Sequence, residues 1–385
     1  MKRREFIGSA ATTFAALSAS PLSIVNEKQN AVNNEPKTVV SVIQSEFTSG
    51  SPESNPYHPN FDIDLFKKEI VQQNIDNVLK LLNIAGERKS DIALTTEDIK
   101  GIYSLIMDIE RPELLKDFAE TIPGNLTEKF GAIAKKYNMY IITSFIEKDN
   151  NNLYNSAVLL NREGKIEGVY RKVQLPVPES WVLTPGNDFP VFKTDFANIG
   201  IAICYDMIFP EIIRILALNG ADMIFIPTGG YGWTEDLGES MLKVRAADNM
   251  VWIAMAKSST LFGAGRSAVV NPLGQIVADA GYEQNYVLTT YIDPKSTWIQ
   301  PETSYGSVLT GVPNMRLRLN LERRPEIYKT LIDKNPKVLA KDTNLKLIHQ
   351  KNKEELLKVV KKLKEQYKKE SQIKEDRIGF RRDIL

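Results

Sequence analysis

The single cysteine of this 385-residue chain, Cys204, occupies a position suited to a reactive side chain. It follows the apolar stretch NIGIAI, which predicts a strand, and precedes YDMIFPE, which predicts a turn into a helix. A cysteine on such a corner projects from the end of a sheet, where backbone N–H groups can stabilise an oxyanion. The start of a helix is also expected to lower the thiol pKa. The alternative is a buried structural cysteine that acts as a small hydrophobe.

Only two histidines could activate that thiol, and both are poorly placed for it. His58 lies in a stretch rich in Pro, Asn and Ser, and His349 lies in a Lys-rich C-terminal segment. One thiol cannot form an internal disulfide, and two histidines are too few for most zinc or di-iron ligand sets. An enzyme of this composition would therefore rely on carboxylates, lysines, hydroxyls or Cys204 itself.

The elements that must position such a site alternate between short apolar runs and amphipathic stretches from residue 37 onward. Strands are predicted at 37–47, 91–96, 139–147, 198–204, 221–228 and 250–258. Helices are predicted at 62–87, 125–138, 209–220 and 237–249, and hairpins at 156–173 and 267–280. This mixture predicts an α/β fold with one large mixed sheet, or two sheets, covered by helices. One domain is expected over residues 37–300.

Several separate segments resemble the nitrilase superfamily of carbon–nitrogen hydrolases. The segment SDIALTTEDIKGIY contains Glu97, and GVYRKVQLPVPESWVLTPG contains Lys172 and Glu179. The most specific match is GIAICYDMIFPEIIRILALNGADMIFIPT, which contains Cys204, whereas VRAADN and GRSAVVNPLG match more weakly. The resemblance implies a Glu-Lys-Cys triad of Glu97, Lys172 and Cys204, with Glu179 as a supporting glutamate.

The resemblance also implies a reaction. Burial would raise the pKa of Glu97 toward neutrality, and Glu97 would take the thiol proton while Cys204 attacks an amide carbon. Lys172 and the backbone N–H of Tyr205 would hold the oxyanion, and Glu179 would position Lys172 or the substrate. Water would hydrolyse the resulting thioester, with no metal or organic cofactor. The Tyr-Asp pair that follows the cysteine is typical of amidase and carbamoylase branches, so a small-molecule amide or N-carbamoyl substrate is expected.

The fold implied by the resemblance is a four-layer αββα sandwich, and the assembly implied is a homodimer or higher homo-oligomer. Helix 209–219 would contribute to the dimer contact, and the segment 321–328 would reach across to the partner. Three alternatives stay open: nitrile hydrolysis, acyl transfer on the same scaffold, and an exported binding protein without turnover. Thr96 stands where the family usually has proline, and Lys257 where it often has asparagine, which is why the binding protein is retained.

The N-terminus has the layout of an export signal. Arg3 and Arg4 precede a weakly apolar run that reaches Val25, which is typical of a twin-arginine-type signal peptide over residues 1–25. The run is too short and too rich in Ala, Ser and Thr for a membrane span. The sequence therefore predicts a periplasmic or extracellular protein, with residues 26–36 as a linker. The alternative is a disordered basic N-terminus.

The last 85 residues, 301–385, predict a charged, partly helical extension. Residues 341–385 carry 14 Lys and Arg against 8 Asp and Glu, whereas the rest of the chain carries 35 against 40. The body is thus mildly acidic and has no nucleic-acid footprint. Within 352–370, one narrow apolar stripe contains Leu356, Val359, Val360, Leu363 and Tyr367. We expect this helix to pack on its own body or on a dimer mate, rather than to bind an acidic membrane or partner.

Overall fold

Two six-stranded sheets face each other in the computed structural model, and helices cover the outer face of each sheet. The structure describes residues 37–108, 110–229, 235–259, 265–296, 311–333 and 345–372. The predicted signal at 1–25 and the linker at 26–36 lie outside these residues. The expected four-layer αββα sandwich is confirmed.

The first sheet contains strands that precede the first helices in the chain and strands that follow them. Its strands are β1 (Thr38–Gln44), β2 (Ile92–Leu94), β3 (Tyr140–Asp149), β4 (Asn152–Leu160), β5 (Ile166–Arg171) and β12 (Tyr286–Ile292). They lie in the order β12-β1-β2-β3-β4-β5. Strands β1, β2 and β3 are parallel, β3, β4 and β5 form antiparallel pairs, and β12 runs antiparallel to β1. Strand β5 consequently runs in the same direction as β2.

The second sheet repeats this arrangement with later strands. Its members are β6 (Val191–Lys193), β7 (Asn198–Ile201), β8 (Met223–Thr228), β9 (Trp252–Lys257), β10 (Ala268–Val270) and β11 (Ile276–Asp279). They lie in the order β11-β10-β9-β8-β7-β6, with β7, β8 and β9 parallel. The carboxyl ends of these three strands therefore share one edge of the sheet.

The helices follow the sequence-based expectations closely but not completely. The described α-helices of five residues or more are α1 (Gln73–Glu87), α2 (Tyr103–Met107), α3 (Pro112–Phe118), α4 (Asn125–Tyr137), α5 (Pro210–Leu218), α6 (Glu235–Asn249), α7 (Met315–Leu321) and α8 (Leu345–Gln372). The predicted helix 62–87 begins with a short α turn, Ile63–Leu65, and a π-helical segment, Phe66–Gln72, before α1. The spacing of apolar residues does not distinguish this π segment from an α-helix. A π-helix has about one more residue per turn, and over one short segment this difference leaves the apolar stripe recognisable.

Three apolar layers hold the sandwich together. Between the sheets, the side chains are almost all aliphatic or aromatic, as with Val42, Leu94, Ile142, Ile201 and Phe225. The outer layers pack the helices onto each sheet. Complete burial of an aliphatic or aromatic side chain stabilises a fold by about 1.5–3 kcal/mol. This dry interior fixes the two sheets against each other and brings the carboxyl ends of β2 and β8 together.

The C-terminal extension packs on the body of the same chain. Arg316 in α7 forms an ion pair with Asp222, with 3.1 Å between the guanidinium and the carboxylate. In α8, Val360 is buried and Leu356 and Leu363 are half-buried, so these members of the predicted apolar stripe face the protein. Val359 is exposed, contrary to the prediction, and the side chain of Tyr367 lies outside the described residues. None of the described helices combines the length and apolarity needed to cross a membrane.

One surface ion pair within α8 differs from the sequence expectation. The spacing of Glu354 and Lys358 favours a pair one turn apart. The Lys358 ammonium instead contacts Glu355, 2.6 Å away. Both side chains of this pair are well exposed, so the difference has little energetic consequence.

Candidate active site

Four strand ends converge at one edge of the sandwich and carry the polar side chains of the site. Glu97 follows β2, Lys172 directly follows β5, Cys204 follows β7, and Thr228 ends β8. The first two belong to one sheet and the last two to the other. Because β2 contacts β8 and β9 across the sheets, these side chains meet although they are far apart in the chain.

A buried lysine lies between two buried carboxylates. The Lys172 ammonium donates to Glu97 Oε1 at 2.9 Å and to Glu179 Oε1 at 2.8 Å. The Asn155 amide in β4 donates to the same Glu97 oxygen at 2.8 Å, and the backbone N–H of Gly229 donates to Glu97 Oε2 at 2.8 Å. Glu97 is therefore held by three donors from three different strands or strand ends. Such fixed geometry suits a group that must accept a proton and return it at defined positions.

Cys204 sits on a strained corner, as the sequence predicts. Its backbone φ is +46°, in the left-handed region that non-glycine residues adopt rarely, and it begins the 3₁₀ turn Cys204–Ile208. The buried carboxylate of Asp206 holds this turn by accepting from the Ile203 N–H at 2.9 Å. The same carboxylate accepts from the Tyr170 hydroxyl at 2.7 Å and from the Gln174 N–H at 2.8 Å. Asp206 thus ties the cysteine corner to the segment that carries Lys172.

Arg245 stabilises the far side of the same turn. Its guanidinium, in α6, donates to the carbonyl oxygens of Met207 and Ile208 at 3.2 and 3.1 Å. The Asn249 amide in turn donates to the Arg245 carbonyl at 2.8 Å. The weakly matching VRAADN segment therefore supports the corner that presents Cys204.

The pKa values of the two glutamates in the cluster are shifted differently from the sequence-based expectation. Burial is the largest influence on the pKa of Glu97 and raises it, but Lys172, the Gly229 N–H and the Cys204 thiol act in the opposite direction, and the pKa is lowered overall. Burial instead raises the pKa of Glu179, to about 7, because Lys172 compensates it less fully and Glu97 adds a like charge. The expectation that Glu97 is the carboxylate with the raised pKa was wrong. Glu97 is the ionised partner and can accept a proton.

The thiol pKa also moves opposite to the sequence-based expectation. Burial, followed by the nearby Glu97 carboxylate, raises the pKa of Cys204 to about 12. The corner precedes only a short 3₁₀ turn, so the helix effect that we expected to lower the pKa is weaker than desolvation. Cys204 is consequently a neutral thiol at neutral pH. It needs a base during attack, and its side chain interacts directly with Glu97.

Lys172 stays positively charged in this setting. Burial alone would lower its pKa, but the carboxylates of Glu97 and Glu179 raise it well above the ordinary value. The buried ammonium thus balances the carboxylate charge beside the thiol. It is also close enough to Cys204 to influence the thiol pKa. A cation at this position can stabilise negative charge that develops on a substrate oxygen.

The structure also shows the positions of three other residues that were singled out from the sequence. Tyr205 follows Cys204 in the 3₁₀ turn, and its ring packs edge-on against Phe209 with 5.4 Å between centroids. Thr96 is fully buried, and its hydroxyl is 2.8 Å from the Ser45 hydroxyl, so this departure from the family pattern is accommodated beside Glu97. Lys257 is buried at the end of β9, opposite Thr228 in the ladder.

His58 takes no part in the hydrogen bonds of the cluster described above. His58 is buried in the segment before α1 and accepts from the Asn60 N–H at 3.2 Å. His349 lies in α8, and its side chain is outside the described residues. Among the described residues, no group of three or more His, Cys, Asp or Glu side chains could hold a metal ion.

Sequence reasoning overlooked three contributors to the site. Asn155 lies inside a buried strand and was not singled out from the sequence. Thr228 interacts with the thiol through its hydroxyl, and Gly229 contributes only its backbone N–H. The first of these could have been suspected, since a buried polar side chain in an apolar strand needs a partner.

Comparison with known proteins identifies relatives over the sandwich. Residues 59–298 match the carbon–nitrogen hydrolase family. The omega-amidase NIT2 of Homo sapiens is 35% identical over 246 residues, which are 58% of this chain and 85% of that protein. The omega-amidase NIT2 of Bos taurus is 31% identical over 246 residues, with the same coverage of both chains.

Solved structures show the same fold. The crystal structure of an amidase from Nesterenkonia sp. superposes with a TM-score of 0.56 at 21% identity. The match covers 77% of this chain and 96% of the amidase. At this identity the comparison establishes the αββα architecture alone.

Proposed function

Since this chain belongs to the carbon–nitrogen hydrolase family, which acts on carbon–nitrogen bonds other than peptide bonds, we propose that it is an amidase with Cys204 as nucleophile. One observation carries this proposal. The Glu97 carboxylate accepts from the Lys172 ammonium at 2.9 Å and also interacts with the Cys204 thiol. A base, a cation and a nucleophile thus share one buried site, which is the minimum that acyl transfer requires.

In the first half of the reaction, the thiol proton moves to Glu97 as the sulfur bonds to the carbonyl carbon of the substrate. The carbonyl π electrons move to oxygen, and the Lys172 ammonium and the Tyr205 N–H stabilise this oxyanion. When the carbonyl re-forms, the carbon–nitrogen bond breaks and the nitrogen takes the proton from Glu97. Ammonia or an amine leaves, and a thioester remains on Cys204.

In the second half, water attacks the thioester carbon and gives one proton to Glu97. Collapse of the second oxyanion breaks the carbon–sulfur bond, and Glu97 returns its proton to the sulfur. The products are a carboxylic or carbamic acid and the free thiol. Glu179, whose two oxygens accept from the Lys172 ammonium, would keep that ammonium directed at the oxyanion throughout.

An amide or N-carbamoyl group is the substrate class that fits best. The pair Tyr205-Asp206 after the nucleophile is the pattern of the amidase-like branches. The human and bovine relatives are omega-amidases, which supports an amide over a nitrile. The buried Asp206 carboxylate also accepts the hydrogen bonds that hold the cysteine corner, which is a structural reason for aspartate at this position.

A screen for ammonia release tests the proposed activity. We expect the purified protein to release ammonia from at least one aliphatic amide or N-carbamoyl amino acid. A parallel panel of nitriles should react at least about tenfold more slowly, since the site is tuned to an existing carbonyl oxygen. Ammonia release from nitriles alone would contradict the amide assignment.

The same screen separates the remaining alternatives. Adding hydroxylamine to an active amide reaction would divert the thioester to a hydroxamate, and a large rate increase would favour acyl transfer as the natural reaction. A protein that binds amides without forming a thioester would leave Cys204 unmodified in a mass spectrum. That result would favour the binding protein.

Export by a twin-arginine-type signal remains part of this proposal. Its support is the order of the basic start and the apolar run in residues 1–25. Export of a folded protein also suits an enzyme whose only thiol needs no disulfide chemistry. Immunoblots of periplasmic and cytoplasmic fractions should show a shortened form outside the cytoplasm. A full-length protein confined to the cytoplasm would contradict export.

A homodimer is the proposed assembly. Several large apolar side chains remain exposed on α5, α6 and the segment after the sandwich: Leu218, Val244, Leu321, Ile327 and Leu331. Exposed apolar area on adjacent elements is typical of an interface. Sedimentation velocity should give about twice the 43.4 kDa of the full chain, less any signal peptide removed.

A further inference from the structure

The short helix α2 begins with Tyr103, which is half-buried and packs against the apolar layer that contains Leu183, four residues after Glu179. Its first residue, Tyr103, is close enough to Glu179, Lys172, Glu97 and Cys204 for all four to influence its phenol. Burial and the Glu179 carboxylate raise the pKa of this phenol well above its ordinary value. Tyr103 therefore lies near the catalytic cluster and stays neutral.

The other end of α2 is held by charges. Its C-terminal capping residue, Asp108, is fully buried, and one carboxylate oxygen accepts from the Arg111 guanidinium. The other oxygen, Oδ1, has no hydrogen-bond partner among the described residues. The Lys364 ammonium is 4.0 Å from that oxygen. Lys364 is thus the second cation that compensates this buried charge.

Lys364 comes from the C-terminal helix α8. Its ammonium donates to Glu110 Oε2 at 2.5 Å, and Val360, one turn earlier, is buried. The residues that match the hydrolase family end at 298, so α8 is an addition to the catalytic sandwich. This addition contacts the sandwich at the C-terminal end of α2, the helix that begins with Tyr103.

We propose that Lys364 is a positioning residue, which holds α2 and thereby keeps Tyr103 against the catalytic cluster. The assignment of the cluster rests on the proposed function, but the contact between α8 and α2 does not. A five-residue helix is not stable on its own, so its position depends on contacts at its ends. On the opposite side, the Tyr57 hydroxyl donates to the Ser104 carbonyl at 2.8 Å.

Loss of the Lys364 charge should loosen α2 without unfolding the sandwich. Among the described residues, Arg111 would then be the charged partner left to the buried Asp108 carboxylate, and buried charges with too little compensation are unfavourable. Lys364 itself is only half-buried, so its substitution leaves little apolar surface unpaired. Movement of Tyr103 would then admit small reagents to Cys204, which is about one-tenth exposed in the closed arrangement.

Alkylation of the single cysteine measures this directly. Full-length Lys364→Gln protein should react with iodoacetamide about three- to tenfold faster than wild type, a range typical of coupling through packed elements. Amides 104–108 should exchange hydrogen faster by a similar factor. Lys364→Arg should restore both rates. Lys362→Gln, at an exposed position of the same helix, is the matched control and should behave as wild type.

The outcomes separate this proposal from the proposed activity, because neither alkylation nor exchange needs turnover. Equal alkylation rates in Lys364→Gln and Lys362→Gln would overturn it. Faster alkylation without faster exchange at 104–108 would overturn it too, since α2 would not be the moving element. Lys364→Ala removes the same ammonium without a polar replacement, and it should also accelerate both rates. It replaces Lys364→Gln if that variant does not fold.

Discussion

Cys204→Ala is expected to lower kcat for amide hydrolysis by about a thousandfold or more, because it removes the thiol that forms the thioester. Alanine keeps the Cβ atom on the strained corner, so the φ of +46° is no harder to adopt than in wild type. The melting temperature should therefore change little. Continuous assay of ammonia release on the best substrate of the screen measures the loss.

Two further measurements test whether Cys204→Ala blocks formation of the thioester rather than binding of the substrate. The Cys204→Ala protein should still bind the amide, which a thermal shift with added substrate detects. Wild-type protein quenched during turnover should carry one acyl group on the peptide that contains Cys204, and the variant should carry none. Ammonia release at the wild-type rate by Cys204→Ala would exclude the thioester mechanism altogether.

Lys172→Met is expected to abolish turnover and also to destabilise the protein by about 3–5 kcal/mol, the usual cost of removing one partner from a buried ion pair. The reason lies in the geometry. The Lys172 side chain is fully buried between Glu97 and Glu179, at 2.9 and 2.8 Å, and methionine of similar length leaves two carboxylates without a cation. Chemical unfolding and the ammonia assay measure the two effects separately.

A double variant distinguishes charge balance from catalysis. Lys172→Met combined with Glu179→Gln removes one charge of each sign, so it should recover part of the lost stability while turnover stays absent. Lys165→Met is the surface control, since that lysine pairs with Glu163 at 2.7 Å in an exposed hairpin and should affect neither quantity. Recovered turnover in the double variant would show that Lys172 serves only to balance charge.

Local turn chemistry explains why so much of the fold was predictable. In the first hairpin, the Asn161 side chain accepts from the Glu163 and Lys165 N–H groups, and Gly164 takes a φ of +80°. The second hairpin repeats this with Asn271. Asparagine and glycine at these positions specify a turn without reference to the rest of the chain.

Elements that depend on distant partners were not predictable in the same way. Strand β12 is a strand because it pairs with β1, which precedes it by about 250 residues in the chain. Helix α2 exists between Tyr103 and Met107 because both of its ends are held by other segments. The local sequences of β12 and α2 do not identify the distant segments that contact them.

The sequence by itself determined which residues could do chemistry and where each would lie on a strand end. An apolar run followed by a turn was enough to place Cys204 on a corner, and the resemblance supplied Glu97, Lys172 and Glu179. Only the tertiary structure decided which of these side chains carry a proton. A pKa depends on burial and on charges a few ångströms away, so the thiol is neutral and Glu179, not Glu97, has the raised pKa.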